Sequence, residues 1–243
     1  MQRIIVALDV ESPRQALAIA GQLRGLVAGF KVGSQLFTAE GPAFVRQLVE
    51  AGDRVFLDLK FHDIPNTVAR AASAAARLGV WMFNVHASGG AEMMRAAREG
   101  AYEEGRKRGR VPLVTAVTVL TSLDEAGLAS LGVARPLMDH VEALAMMARE
   151  AGLDGVVASP REVGRIRERC GGGFLIVTPG IRGGAAAVPS GTPRADDQAR
   201  TLGARQALEA GASYLVIGRP IVADPDPAAA AARIASELSG PVR

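Results

Sequence analysis

The chain has 243 residues, of which 49% are hydrophobic, 22% charged and 4% aromatic, and its formal net charge is +3. These proportions describe a globular protein with a large core and exclude a fibrous or disordered one; so modest a charge with so few aromatics also argues against a nucleic-acid surface. Cys170 is the single cysteine, which excludes internal disulfides and cysteine metal clusters and suits a reducing compartment. Met1 leads almost directly into a strand-like run, and no apolar stretch reaches membrane-spanning length. The expectation is a cytoplasmic protein with no membrane contact and, given its basic balance, an anionic small ligand.

In chain order, apolar runs bounded by turn residues predict strands over Ile4–Val10, Phe30–Gly33, Val55–Lys60, Trp81–His86, Val111–Val117, Gly155–Ser159, Phe174–Thr178 and Tyr214–Gly218, eight in all. Ala-rich segments of helical spacing lie between them, among them Pro13–Leu26, Thr67–Leu78, Gly90–Glu104, Pro136–Ala151 and Asp197–Ala210, and Pro227–Leu238 closes the chain. Strict alternation demands a parallel sheet covered by helices. Eight units, with no Gly-x-Gly-x-x-Gly after the first strand, favour an α/β fold of one domain over residues 1–243, a closed (β/α)8 TIM barrel, over an open doubly wound sheet. The longest irregular stretch, Gly180–Asp196, is read as a functional or mobile loop.

The third strand carries the most informative string, Asp58-Leu59-Lys60-Phe61-His62-Asp63-Ile64-Pro65-Asn66-Thr67. Residues two apart in a strand face the same side, so Asp58 and Lys60 project together beyond the strand end, and Asp63 follows in a turn stiffened by Pro65. Opposite charges packed this closely on a buried strand are costly unless they pair or act. A salt bridge that merely caps the strand is the plainer reading. Lysine usage weighs against it: among 28 Lys plus Arg, only Lys31, Lys60 and Lys107 are lysine, and two of these stand at predicted strand ends. A chain this biased toward arginine keeps lysine where a compact, titratable ammonium is wanted. In a barrel, chemistry belongs to residues at the carboxyl ends of the strands, which gathers Asp9, Lys31, Asp58, Lys60, His86, Thr121, Arg182 and Arg219 at one mouth.

Together with Ala7-Leu8-Asp9, Phe30-Lys31-Val32-Gly33, Val119-Leu120-Thr121-Ser122, Pro179-Gly180-Ile181-Arg182 and Ile217-Gly218-Arg219-Pro220, the string resembles orotidine 5′-phosphate decarboxylase over nearly the whole chain. The resemblance implies a homodimeric (β/α)8 barrel with shared active sites. It implies conversion of orotidine 5′-phosphate to uridine 5′-phosphate and carbon dioxide, in pyrimidine biosynthesis, without metal or organic cofactor. It makes Lys60 the proton donor, with Lys31, Asp58 and Asp63 completing an alternating charge array in which Asp63 reaches in from the partner. Asp9 is then assigned to ribose hydroxyls, Thr121 to the pyrimidine, Thr67 to substrate binding, and Arg182, Gln198, Gly218 and Arg219 to the phosphate end.

The chemistry suits the charges. Loss of carbon dioxide from an sp² ring carbon leaves a carbanion that no adjacent carbonyl delocalises, so it must be stabilised electrostatically. His62 is expected to pack or to support the site rather than to catalyse, His86 to form a site wall, and His140 to be structural or exposed; the histidines show no metal-ligand spacing. Two other readings remain open on the residues alone. One is a magnesium-dependent sugar-phosphate decarboxylase or aldolase, which shares an Asp-x-Lys pair but is not expected to carry His62 to Thr67; the other is a non-catalytic phosphate-ligand binding protein.

Overall fold

The computed structural model describes residues 2–182 and 202–239. Eight parallel strands close into a barrel: β1 (Ile4–Ala7), β2 (Gly29–Gly33), β3 (Val55–Phe61), β4 (Met82–His86), β5 (Leu113–Val117), β6 (Gly155–Val157), β7 (Leu175–Thr178) and, after the two-residue pair β8 (Ile181–Arg182) and β9 (Leu202–Gly203), β10 (Tyr214–Ile217). β10 returns to pair with β1, which completes the expected (β/α)8 architecture. The surrounding helices are α1 (Pro13–Leu23), α2 (Ser34–Glu50), α3 (Pro65–Arg77), α4 (Gly90–Lys107), α5 (Glu125–Ser130), α6 (Leu137–Glu150), α7 (Val163–Cys170), α8 (Ala204–Glu209), α9 (Arg219–Val222) and α10 (Pro227–Ser239).

Several boundaries differ from the sequence expectation, each for a local reason. The first strand ends at Ala7, not Val10; the Leu8 N–H still donates to the Lys31 carbonyl at 3.0 Å, and Leu8 and Val10 are buried beyond the strand's end. The fifth begins at Leu113, since Pro112 has no N–H to give a neighbouring strand. The sixth stops at Val157, because Ser159 leaves to cap a turn: its N–H donates to Glu162 Oε2 at 2.9 Å and its Oγ accepts from the Arg161 N–H at 3.3 Å. The helix expected over Asp197–Ala210 is shorter. Leu202–Gly203 pairs as a strand with Ile181–Arg182, the helix starts at Ala204, and residues 197–201 lie outside the described residues. The long α2 was not anticipated, because Gly41 (φ 67°, ψ −168°) and Pro42 break its periodicity with a kink.

Alternation along the strands separates two apolar layers. Ile5, Ala7, Phe56, Met82, Val117, Val157, Val177 and Val216 point into the barrel. At its amino-terminal end Trp81 meets Tyr214 edge-on, with ring centroids 5.2 Å apart, and the Arg54 guanidinium lies 5.6 Å from the Trp81 ring centre. The intervening residues, Val6, Phe30, Leu57, Phe83 and Ile176 among them, face the helices. Burial of each large side chain contributes about 1.5–3 kcal/mol, so the barrel wall is apolar on both faces except where its carboxyl-end mouth begins.

α3 leaves directly from the Asp58–Thr67 string and packs along α4. The contact is close because Gly100 lacks a side chain: a Cβ there would stand 2.4 Å from the Ala69 carbonyl oxygen. Gly100→Ala should gain up to about 1 kcal/mol of helix propensity and lose about 1–3 kcal/mol to overpacking, because the obstacle is backbone and cannot rotate away. The expected net result is a lower urea midpoint with an unchanged slope; an equal or higher midpoint would show that the helices separate without cost.

Candidate active site

At the carboxyl end of the barrel four charged side chains form one chain of contacts. Lys31 projects inward from β2 and is only 8% exposed. Its Nζ donates to Asp9 Oδ1 at 2.9 Å and lies 3.5 Å from Asp58 Oδ2. The other oxygen, Asp58 Oδ1, accepts from Lys60 Nζ at 2.7 Å. The order is therefore Asp9, Lys31, Asp58, Lys60, with signs alternating along it. Gly33 leaves room for this crowding: a Cβ there would fall 2.9 Å from Lys31 Nζ.

Burial works most strongly against the Lys31 ammonium, but Asp58 and then Asp9 outweigh it and hold its pKa above the ordinary lysine value. Burial likewise pushes the Asp58 carboxyl upward, and Lys31, Lys60 and the bonds donated by Lys60 and Asn84 carry it below the usual carboxylate range. Both groups are charged throughout the neutral range.

β3 does not run straight through the site. Lys60 has φ 53°, the only positive φ on a non-glycine residue among those described, and the β3–β4 register shifts between Leu57 and Phe61. Left-handed backbone costs such a residue roughly 1–2 kcal/mol, so the neighbours must over-determine it. Asn84 on β4 supplies the restraint. It is 1% exposed, its Oδ1 accepts the Lys60 backbone N–H at 2.8 Å, and its Nδ2 donates to Asp58 Oδ1 at 2.7 Å. The sequence reading passed over Asn84; the signal was a polar residue on the inward face of an otherwise apolar strand, two positions before His86.

The remaining expected residues are distributed around this centre. Asp63 and Thr67 are exposed, and within the chain Asp63 Oδ1 accepts the Ile64 N–H without an ion pair to either lysine. Thr121 is half-buried in the turn after β5, Gly218 caps α9, and Arg219 is exposed at that helix's start. Arg182 ends β8, while Gln198 and the loop Gly183–Asp197 lie outside the described residues. His62, expected to pack or to support the site rather than to catalyse, is exposed, and its ring stands 5.4 Å from that of half-buried His86. Among the described residues no three His, Cys, Asp or Glu side chains cluster as metal ligands, and no helix is long and apolar enough to cross a membrane.

A cavity of about 510 Å³ opens at the opposite, amino-terminal face, lined by Arg3, Arg167, Ser213 and Tyr214 among others. Its guanidinium at Arg167 is spent on the carbonyls of Gly171, Phe174 and Gly211, which brace the loops there. The chemistry belongs to the other end.

A closed (β/α)8 barrel with paired lysines and aspartates at its carboxyl-end mouth has the architecture of a barrel enzyme. The chain belongs to the orotidine 5′-phosphate decarboxylase / HUMPS family, whose model matches residues 2–234. It is 54% identical over 238 residues to orotidine 5′-phosphate decarboxylase of Moorella thermoacetica, covering 97% of this chain and 92% of that one. It is 51% identical over 235 residues to the enzyme of that name from Sodalis glossinidius, with 97% and 89% covered. Among solved structures, orotidine 5′-phosphate decarboxylase from Lactobacillus acidophilus superposes with a TM-score of 0.84 at 38% identity, covering 98% of this chain and 99% of that one.

His86 gives the site a pH signature. Its pKa is lowered chiefly by burial, then by neighbouring His62 and Lys60, against a smaller opposing pull from Asp58. An unfolded histidine protonates near pH 6.5, before the folded one does, so stability is full above that value and falls as pH drops from about 6.5 toward the folded pKa. His86→Gln should remove this part of the acid loss. Thermal midpoints of the two proteins should diverge below about pH 6.5 and run parallel above it; parallel curves throughout would show that His86 does not contribute.

Proposed function

We infer that the chain is a carboxy-lyase that converts orotidine 5′-phosphate to uridine 5′-phosphate and carbon dioxide. The observation that carries the reading is the unbroken Asp9–Lys31–Asp58–Lys60 chain at the barrel mouth, in a chain of this family. As the ring-carbon to carboxylate bond breaks, its electron pair stays on the ring carbon and carbon dioxide departs. The Lys60 ammonium faces that charge. At about 4 Å and an effective dielectric near 20 the interaction is worth about 4 kcal/mol, or nearly three decades in rate at about 1.36 kcal/mol per decade. Lys60 Nζ then gives its proton to the ring carbon, and solvent reprotonates the amine. Asp58 and Lys31 keep the donor charged and in place.

Asp9, through the oxygen not engaged by Lys31, binds ribose hydroxyls, and Thr121 meets the pyrimidine. Gly218 and Arg219 after β10, with Arg182 and Gln198, take the phosphate, in the region where such barrels bind it. Asp63 acts in the neighbouring subunit of a homodimer. Two features support this: among the described residues no cation pairs with Asp63, and the adjoining Ile64 is 67% exposed, an apolar side chain on a face that a second copy would cover. Such an enzyme works in the cytoplasm, where the lone Cys170 stays reduced.

Following absorbance loss of orotidine 5′-phosphate tests the reaction. Turnover should persist in excess chelator, and restoration only by added magnesium would favour the sugar-phosphate chemistry instead. Lys60→Ala should abolish turnover in a folded protein, and Lys60→Arg should not rescue it, because guanidinium holds its proton too tightly. A near-normal rate in Lys60→Arg would remove Lys60 from the donor role. The shared site has its own test. Inactive Lys60→Ala dimers mixed with inactive Asp63→Ala dimers should regain activity on subunit exchange, since one site in each heterodimer has both residues intact; with exchange verified, a silent mixture would place both within one chain.

A further inference from the structure

The bent end of β3 leaves Lys60 dependent on a residue to which no role in the reaction has been given above. We propose that Asn84 is a positioning residue of the site, whose carboxamide fixes both the left-handed backbone of Lys60 and the rotamer of Asp58. This inference rests on the proposed role of the lysine–aspartate chain.

Three observations carry it. Asn84 uses both ends of its amide on the two residues that matter: the carbonyl accepts from the Lys60 backbone, and the amine donates to the same Asp58 oxygen that accepts from Lys60 Nζ. The side chain is 1% exposed and stands on the inward face of β4, so no water competes for these bonds. Finally, the restrained conformation is not one that lysine adopts on its own account, and no other non-glycine residue among those described adopts it. With the bridge in place the Lys60 ammonium is directed across Asp58. With φ relaxed to the extended region, Lys60 reverts to plain strand alternation and its Nζ moves relative to Asp58. A misplacement of about 1 Å at a reacting group can cost about 100-fold in rate.

The amide itself bonds Asp58 and the Lys60 backbone, Asp58 in turn contacts Lys60 and Lys31, Lys31 contacts Asp9, and His86 lies two residues on along the same strand. Against Asp58, a carboxyl in place of the amide can serve as donor only when protonated. The isosteric change Asn84→Asp therefore gives a signature that a purely structural role would not. Steady-state turnover of orotidine 5′-phosphate should be measured across pH for wild type, Asn84→Ala, Asn84→Asp and Lys60→Ala, alongside binding of uridine 5′-phosphate and thermal unfolding. For Asn84→Ala, kcat should fall about 100-fold with KM and product affinity within about threefold, because the phosphate and ribose contacts remain. For Asn84→Asp, kcat should fall at neutral pH and recover toward acid, a limb that wild type lacks. If Asn84→Ala does not fold, the isosteric variant carries the test.

A dead Lys60→Ala together with Asn84 variants that keep wild-type kcat would overturn the positioning role alone. Loss of kcat in Asn84→Asp with no acid recovery would do the same, by showing that its donor is not what the site needs. Full activity in Lys60→Ala would overturn the underlying charge reading and this inference with it.

Discussion

A carboxylate held between two ammonium groups, almost out of reach of water, sets the terms for the rest of the molecule. Asp58 has a side chain 13% exposed, with Lys60 at 2.7 Å on one oxygen and Lys31 at 3.5 Å on the other. An isolated ion in such a place is penalised by several kcal/mol, and only near-ideal geometry with every lone pair engaged offsets that. This is why Asp58 Oδ1 also takes the Asn84 amide and why Lys31 has Asp9 as its second partner. Each group is affordable only in the presence of the others, so the cluster behaves as a unit. A residue removed from it exposes an uncompensated charge, and mutational effects within it are not additive.

The barrel is the means of assembling such a unit from remote parts of the chain. Asp9 follows β1, and Lys31, Asp58 and Asn84 stand on β2, β3 and β4, where parallel pairing fixes heights relative to one another: Lys31 stands opposite Phe56, and Asp58 opposite Gly33. The same alternation that points Phe56 into the apolar interior points Asp58 into the layer above it. Hydrophobic packing below thus fixes register, and register delivers the charges. The helices matter indirectly: α3 springs from the strand that carries Lys60, and its tight contact with α4 through Gly100 fixes where that strand can end.

The sequence made this much legible because each barrel strand is a short apolar run and because charged residues are conspicuous against one. Asp58, Lys60 and Lys31 could be picked out on those grounds, and the structure brings all three within contact. What escaped was of a different kind. Asn84 carries no charge and sits in an ordinary strand, so nothing in a linear reading ties it to Asp58, 26 positions away. The left-handed turn at Lys60 left no trace, since lysine, unlike glycine or asparagine, does not advertise that conformation. Kinked α2 was hidden by Gly41 and Pro42, which read as a break between elements and act as a bend within one.

The charge balance of the site bears on how it would act. Within one chain two carboxylates, Asp9 and Asp58, face two ammonium groups, Lys31 and Lys60, and the set is neutral. On the proposed reading, Asp63 of a second copy turns the completed site negative before substrate arrives, and a substrate carboxylate then adds a further negative charge beside Asp58. Two consequences follow. The substrate must be drawn in from its other end, through the phosphate and residues such as Arg219, because the reacting end is electrostatically unwelcome there. Departure of neutral carbon dioxide then moves the negative charge from the carboxylate to the ring carbon, away from Asp58 and toward Lys60, so that attraction to the ammonium grows as repulsion from the carboxylate declines. On that reading the gain on the ammonium side is specific to the transition state, and the relief on the carboxylate side is secondary, adding to it only as far as the fixed geometry of Asp58 prevents the two carboxylates from separating beforehand. That rigidity is what the Asn84 bridge and the second partner of Lys31 provide.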